Sequence, residues 1–373
     1  MEKKIKIAIM SEPMDRRPER SFFAKRLVEN LLENPELEIY LIHYKKMSDE
    51  PLYQKAHEII IPLLSLPFGS HFFSFIWFCF KTKEKFDIVH WLLPRVFPFF
   101  WLFPAKKVVV TAHDGYVGVW TKANIVFWFV LSFLNRYIDA VIGVSEDAKK
   151  DIISNYHIPE SKTYVAYNGV DTIYRPIPES SALEVLKKYN VLADRYFIYV
   201  GGMQPHKNVK GLVDAYILLR ETIPVEEKLV IVGKTSFGEE VLEKIKQTKY
   251  SKDIICAGFV QVDDLPAFYS KATSLVFVSL NEGCGIPLIE AMACGTSVIT
   301  SNISAMPEIV GEAALLVDPY STEDIMLAMK RIIEDRPLRE QLVNKGLERA
   351  KVFTWEGYTQ QTTEVYKKII NNK

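Results

Sequence analysis

Cysteine is scarce in this 373-residue sequence, and Cys79, Cys256, Cys284 and Cys294 stand apart, with no C-x-x-C pair and no histidine at metal-ligand spacing. That argues against a disulfide framework or a zinc site and for a reducing, cytoplasmic setting. Net charge is missing too, because 46 Lys and Arg balance 46 Asp and Glu. No overall field draws nucleic acid or acidic partners, so any anion site has to be local. Neither G-x-G-x-x-G nor G-x-x-x-x-G-K-[ST] occurs, which disfavours dinucleotide dehydrogenases and phosphate-loop NTPases. There is no D-x-D pair to chelate a metal, and the adjacent Asp263 and Asp264 have the wrong spacing. Residues 1–10 begin with charge and pass directly into an alternating apolar run, so export by a signal peptide is not expected. Short repeats, low-complexity tracts and coiled-coil heptads are absent.

Aromatics are in excess, with 22 Phe and 6 Trp. They gather in the first half, at 59–80, 96–103 and 125–134. Two accounts stand side by side, an overbuilt core or a face resting on lipid. Residues 59–80 are long enough to consider as a membrane span, but Pro62, Pro67, Gly69 and Ser70 interrupt them, and strand, turn and helix is the preferred reading.

The length predicts two domains. β-rich runs at 4–10, 38–43, 58–63, 87–92, 107–114, 140–145 and 164–169 recur between helical stretches. Runs such as Val108-Val109-Val110 are continuously apolar, as expected of strands buried on both faces of a parallel sheet. Residues 171–179 carry Pro176 and Pro178, which neither a helix nor a strand can run through, so the linker is placed there. Strands then alternate with helices again, at 195–200, 228–233, 253–258, 274–280 and 296–301, implying a second parallel sheet. The stretch 321–373 is helical in pattern. In open parallel sheets ligands collect beyond the carboxyl ends of the strands, so the informative residues should follow strands.

Two loops do so. Gly201-Gly202-Met203-Gln204-Pro205-His206-Lys207-Asn208 joins two glycines, a helix start and a lysine, which suits a diphosphate or is simply a tight turn. Glu282-Gly283-Cys284-Gly285-Ile286-Pro287-Leu288-Ile289-Glu290 has glycines that free the backbone to wrap a ligand. Pro287 suits a first helical turn, and the two carboxylates can accept hydrogen bonds from a polyhydroxylated ligand.

The run EGCGIPLIEAMACGTSVITS at 282–301 resembles the hallmark segment of family-4 retaining glycosyltransferases, two glutamates separated by seven residues. YVGGMQPHKN at 199–208 resembles that family's phosphate-binding loop, GF at 258–259 its loop near the base, and NGVD at 168–171 the end of its first domain. VVTAHD at 109–114 and VSE at 144–146 resemble first-domain motifs, so the likeness spans nearly the whole chain. It implies an α/β GT-B fold, with two facing Rossmann-like parallel-sheet domains and an active-site cleft between them. The expected domains are 1–175 on the acceptor side, with a C-terminal helix at 355–373 packing back, and 176–354 for the donor.

By the same resemblance, Glu282 would hold donor-sugar hydroxyls and stabilise oxocarbenium charge, while His113 would face the sugar across the cleft. A capped strand end is the plainer account of His113. Gly283, Cys284, Gly285 and Ile286 would contact sugar and diphosphate through backbone amides, with Pro287 starting the helix. Glu290 would take the ribose hydroxyls. Lys207 would neutralise the leaving diphosphate, with Gly202 and His206 beside it and Gly258 near the base. Many relatives have arginine where Met203 stands and an aromatic where Cys284 stands. The loop 11–20 has Arg16, Arg17 and Arg20 in place of paired glycines. These either meet a phosphorylated acceptor or are solvated charge.

The activity so implied is metal-independent, retaining transfer of a hexose from a UDP- or GDP-sugar to a glycan or lipid-linked acceptor in cell-surface polysaccharide synthesis. No cofactor is needed beyond the nucleotide-sugar substrate. Peripheral contact of the first domain with a membrane, on the cytoplasmic face, follows if the aromatic face rests on lipid. A sugar-nucleotide epimerase of the same architecture and a catalytically silent binding subunit are the competing readings.

Overall fold

The computed structural model describes residues 4–11, 22–44, 51–65, 70–93, 99–113 and 132–371. The chain divides into two units, Met1–Gly169 with Trp355–Lys373, and Val170–Thr354.

The first unit runs β1 (Ile5–Met10), α1 (Phe22–Leu32), β2 (Leu37–His43), α2 (Pro51–Lys55), β3 (His57–Ile60), α3 (Ser70–Lys81), β4 (Phe86–Trp91), β5 (Ala105–Ala112), β6 (Ala140–Gly143), α4 (Glu146–Tyr156) and β7 (Thr163–Val165). Its seven strands form one parallel sheet in the order β3-β2-β1-β4-β5-β6-β7. Side chains alternate across a strand, and β1 shows the result: Ala8 and Met10 join the core on one face, Ile7 and Ile9 the core on the other. Burial on both faces is why the central strands carry apolar stretches such as Val108–Val110 and Ile88–Val89.

The Ala8 face explains much of the aromatic excess. Phe75 and Phe78 of α3 pack with Phe86, Trp91, Phe100 and Phe103, with Phe75 and Trp91 ring centroids 5.8 Å apart. The apolar stretch at 59–80 resolves into the end of β3 and the 12-residue α3, about 18 Å long. Among the described residues no helix is long and apolar enough to cross a membrane. Helix α4 starts where VSE stands: Ser145 accepts a hydrogen bond from the Ala148 amide (2.9 Å), and Glu146 and Asp147 complement the first turn.

The second unit runs α5 (Glu179–Lys188), β8 (Tyr196–Val200), α6 (Val209–Thr222), β9 (Lys228–Val232), α7 (Glu239–Gln247), β10 (Ile254–Gly258), α8 (Leu265–Lys271), β11 (Ser274–Phe277), α9 (Ile286–Ala293), β12 (Val298–Ser301), α10 (Met306–Val310), β13 (Ala314–Val317), α11 (Thr322–Glu334) and α12 (Arg336–Ala350). The sheet is parallel, ordered β10-β9-β8-β11-β12-β13. β13, a four-residue edge strand that is mostly only part-buried, is absent from the sequence expectation although residues 313–317 are an unbroken apolar run, because so short a run does not by itself distinguish a strand from a helix segment. The helical stretch after 321 breaks where Ser321 caps α11 and Asp335 caps α12.

Residues 170–177 join the second unit, upstream of the boundary expected at the proline pair. The Val170 amide bonds the Phe353 carbonyl (3.0 Å), the Tyr174 ring meets Tyr269, and the Ile177 amide bonds Ser270 Oγ (3.0 Å). Prolines forbid a helix or strand here, but they do not forbid packing. Helix α13 (Trp355–Asn371) then belongs to the first unit. It buries Trp355, Tyr358 and Tyr366 in the core beside α1, and Gln361 accepts the Tyr167 amide (3.0 Å).

In each sheet the strand order reverses direction once, between β1 and β4 and between β8 and β11. A crevice opens at such a reversal because the flanking connections leave to opposite sides. The loops after β8 and β11 are the two singled out by the sequence.

Candidate functional site

The site in the second unit is built from strand ends. After β8 the chain passes Gly201 and Gly202, makes a 3-10 turn at Pro205–Lys207, and enters α6 through Asn208, whose φ is 52°. After β11 it passes Leu280, whose amide donates to the His206 carbonyl (2.7 Å). The Asn208 side-chain amide bonds the carbonyls of Val278 (3.1 Å) and Pro319 (2.7 Å). The two loops are therefore stitched by a backbone bond and the Asn208 side chain, and Lys207 is delivered to the Glu282 loop as a consequence.

There Lys207 Nζ donates to both carboxylate oxygens of Glu282, at 2.6 and 2.7 Å. The side chains keep 21% and 10% of their accessible surface, enough for a ligand to reach them. The ammonium also lies 5.7 Å from the centre of the Phe277 ring. Glu282 is held from behind by Ser304, whose hydroxyl accepts from the Glu282 amide (3.1 Å) and donates to its carbonyl (3.0 Å). Ser304 adopts φ 58°, unusual for a non-glycine residue and the kind of strain that collects at functional sites. Nothing in the sequence marks Ser304, because its role depends on a turn after β12.

Gly283, Cys284 and Gly285 follow, and Gly285 (φ 72°) opens α9, with Ile286 and Pro287 in its first turn. Glu290 lies one turn on, as the spacing requires, but among other partners. Tyr269 of α8 donates to it at 2.7 Å and Tyr174 also hydrogen-bonds it. The structure thus brings Lys207 and Glu282 together and gives Glu290 a neighbourhood of tyrosines.

Burial raises the Glu290 carboxyl above its ordinary value of 4.5, against the opposing pull of the two tyrosine hydrogen bonds. A carboxyl whose folded pKa is raised stabilises the fold at pH below its unfolded value, and this contribution is lost as pH rises through the folded value. As pH rises above the ordinary carboxylate range the wild type progressively loses it. Glu290→Gln, which cannot ionise, is therefore expected to melt higher than wild type at pH 7–8. The gap should close as pH falls through the ordinary carboxylate range, read from melting temperature against pH.

Met203 is buried. A Cβ added to Gly238 would sit 2.1 Å from its sulfur, so Met203 fills the gap between its own loop and the start of α7. At the same edge of the sheet, Lys234 follows β9 and lies 5.6 Å from the Phe259 ring that follows β10. Lys234 is a second cation at the strand ends that the sequence reading passed over, although the Gly233-Lys234 pair repeats the glycine-then-charge pattern.

In the first unit His113 directly follows β5, and its ring centroid lies 3.8 Å from that of Phe23 in α1. His90 of β4 is the histidine that sequence reasoning missed. It is fully buried, with Nδ1 2.6 Å from the Tyr366 hydroxyl and Nε2 2.8 Å from Thr111 Oγ1. Burial, and then the neighbouring His113, lower its pKa to about 3. A neutral imidazole so placed ties α13 to β5, the strand that His113 follows. Arg16, Arg17 and Arg20 lie outside the described residues.

Two family models match the chain, one described as Glycosyltransferase Family 4 over residues 15–174 and one as Glycosyl transferases group 1 over residues 185–349. The O-antigen chain mannosyltransferase B of Escherichia coli is 33% identical over 228 residues, covering 61% of this chain and 60% of that protein. The serotype-specific mannosyltransferase WbdA of the same species is matched over only 29% of its length. An uncharacterized glycosyltransferase of Methanocaldococcus jannaschii is 24% identical over 366 residues, covering 92% of each chain. Among solved structures, Anabaena HepE in complex with UDP-glucose superposes with a TM-score of 0.78 at 16% identity, over 98% of this chain and 100% of that one. Sucrose-phosphate synthase from Thermosynechococcus elongatus gives 0.76 at 19%, over 99% and 100%. Both likenesses concern the fold, which is of the GT-B class. With both halves matched and the Lys207–Glu282 pair assembled from the two expected loops, the chain belongs to the family-4 glycosyltransferases.

Proposed function

We propose that this chain is a retaining hexosyltransferase that takes its sugar from a nucleotide-sugar and delivers it to a glycan or lipid-linked acceptor in cell-surface polysaccharide assembly. The observation that carries the reading is the bidentate Lys207–Glu282 pair between the two strand-end loops. A donor diphosphate is a better partner for Lys207 than one carboxylate. Its arrival would share the ammonium between phosphate and Glu282, freeing carboxylate lone pairs for sugar hydroxyls.

In this reading the bond from the anomeric carbon to the diphosphate breaks as the acceptor oxygen bonds the same face. The acceptor proton passes to a departing diphosphate oxygen. Charge grows on the leaving group, where Lys207 is fixed, and positive charge grows on the sugar, beside Glu282. No protein nucleophile and no metal enters the scheme. Glu290, among its tyrosines, takes the ribose hydroxyls. Mannose is the first sugar to test, because the Escherichia coli relatives are named as mannosyltransferases.

A thermal-shift panel of UDP- and GDP-sugars tests the proposal. A ligand that binds only the folded state stabilises it by about 2.7 kcal/mol at a hundredfold excess over Kd. At least one nucleotide-sugar is expected to raise the melting temperature of wild type, and less so that of Lys207→Ala. A flat panel, with no donor hydrolysis or transfer, would sink the idea.

A further inference from the structure

Helix α3 has an outward face that its own unit does not bury. Ser74, Phe75, Phe78 and Cys79 point into the core, while Phe73, Trp77 and Phe80 stand 49%, 40% and 72% exposed. Positions i, i+4 and i+7 lie along one side of a helix, so the three form a single aromatic stripe. In soluble folds that side is normally polar. Here the sole Asp, Glu, Lys or Arg in the helix is Lys81, at its end. Lys83 and Lys85 follow, both exposed and neither in an ion pair among the described residues, while the intervening Glu84 pairs with Lys6 at 3.6 Å.

The stripe continues sideways. Phe72 of the same helix meets Phe99 (6.0 Å), Phe99 meets Trp101 (5.2 Å), and Trp101 stacks on Tyr137 (4.8 Å). Arg136 lies 4.8 Å over the Tyr137 ring.

We propose that this face of α3 docks flat on an anionic lipid bilayer, with Phe73, Trp77 and Phe80 in the interface and Lys81, Lys83 and Lys85 among the headgroups. At 12 residues, or about 18 Å, the helix lies on a membrane and does not span one. Tryptophan and phenylalanine suit the boundary between headgroup and acyl chain, and long lysine stems let their charges reach the phosphates. The chain's formal net charge is zero, so attraction to anionic lipid has to come from this local cluster. The proposal does not depend on the transferase reading, because docking needs no donor.

The test is cosedimentation of the full chain with vesicles of phosphatidylcholine alone and of phosphatidylcholine mixed with phosphatidylglycerol. Wild type is expected to pellet with the mixed vesicles, weakening as salt is raised. The Phe73→Ser, Trp77→Ser, Phe80→Ser triple variant should bind about tenfold or more weakly while keeping the wild-type melting temperature. Should that variant fail to fold, Trp77→Phe serves: the blue shift of tryptophan fluorescence on vesicle addition is expected to shrink. Wild type staying in the supernatant, equal binding to both lipids, or undiminished binding by the serine variant would overturn the proposal. So would a wild-type dimer that the serine variant converts to monomer, which would make the stripe a contact between copies.

Discussion

Lys207→Ala is expected to lower kcat for sugar transfer by about 10²–10³, the loss typical when one preorganised charge partner of a transition state is removed. The size follows from where the ammonium is held. It is anchored at 2.6–2.7 Å to Glu282, sits above the Phe277 ring, and is fixed by a loop whose backbone is tied to the neighbouring strand end. On the proposed mechanism no reorganisation is needed as charge develops on the leaving group. Glu282→Ala should fall in the same range, because on the proposed mechanism it removes the sugar contact, and it leaves Lys207 without its carboxylate. The informative result is the double variant. Residues that act as a unit lose together, so it should be little worse than the poorer single variant, where independent roles would multiply. Steady-state kinetics with matched melting curves decides it. Either single variant folded and within tenfold of wild type would remove the basis of the mechanism.

The second large effect concerns a backbone contact. Gly233, after β9, has φ 136°, and a Cβ placed on it would lie 1.9 Å from the Gly201 carbonyl oxygen. That oxygen belongs to the loop that follows β8, and the Gly201 amide is itself bonded to the Val232 carbonyl (2.9 Å), so it has no room to withdraw. Gly233→Ala therefore combines overpacking with backbone strain and is expected to cost about 3 kcal/mol or more. Gly258, after β10, is the control. Its φ is 71°, but nothing lies within 4 Å of a Cβ there. Gly258→Ala meets only the left-handed penalty, about 1–2 kcal/mol. Urea midpoints of the two variants should differ in that order, and equal midpoints would mean that the close approach of the two strand ends is not what requires glycine at 233.

Much of the fold was legible because parallel sheets write themselves in unbroken apolar runs. Each first-half run at 4–10, 38–43, 58–63, 87–92, 107–114, 140–145 and 164–169 contains or overlaps a strand of the seven-stranded sheet. The short edge strand β13 lies in an apolar run too, at 313–317, but a run of that length does not by itself separate strand from helix. The linker was drawn at the prolines because local sequence reports what a segment cannot form, whereas unit membership depends on what it touches, here Phe353, Tyr269 and Ser270.

The same division governs the site. Which residue types stand after which strands, and hence a lysine, a glycine turn and two glutamates separated by seven residues, is a property of linear order and can be read directly. Partnership is not. That Lys207 grips Glu282, that Glu290 keeps company with Tyr269 and Tyr174, that Met203 packs over Gly238, and that Ser304 braces Glu282 all depend on atoms far apart in the chain meeting at one end of a sheet. Likewise, the aromatic richness of the first half was plain from composition. Only packing could separate Phe75 and Phe78, buried, from Phe73, Trp77 and Phe80, exposed, because a helix that is apolar on every side carries no mark of which side will meet the core.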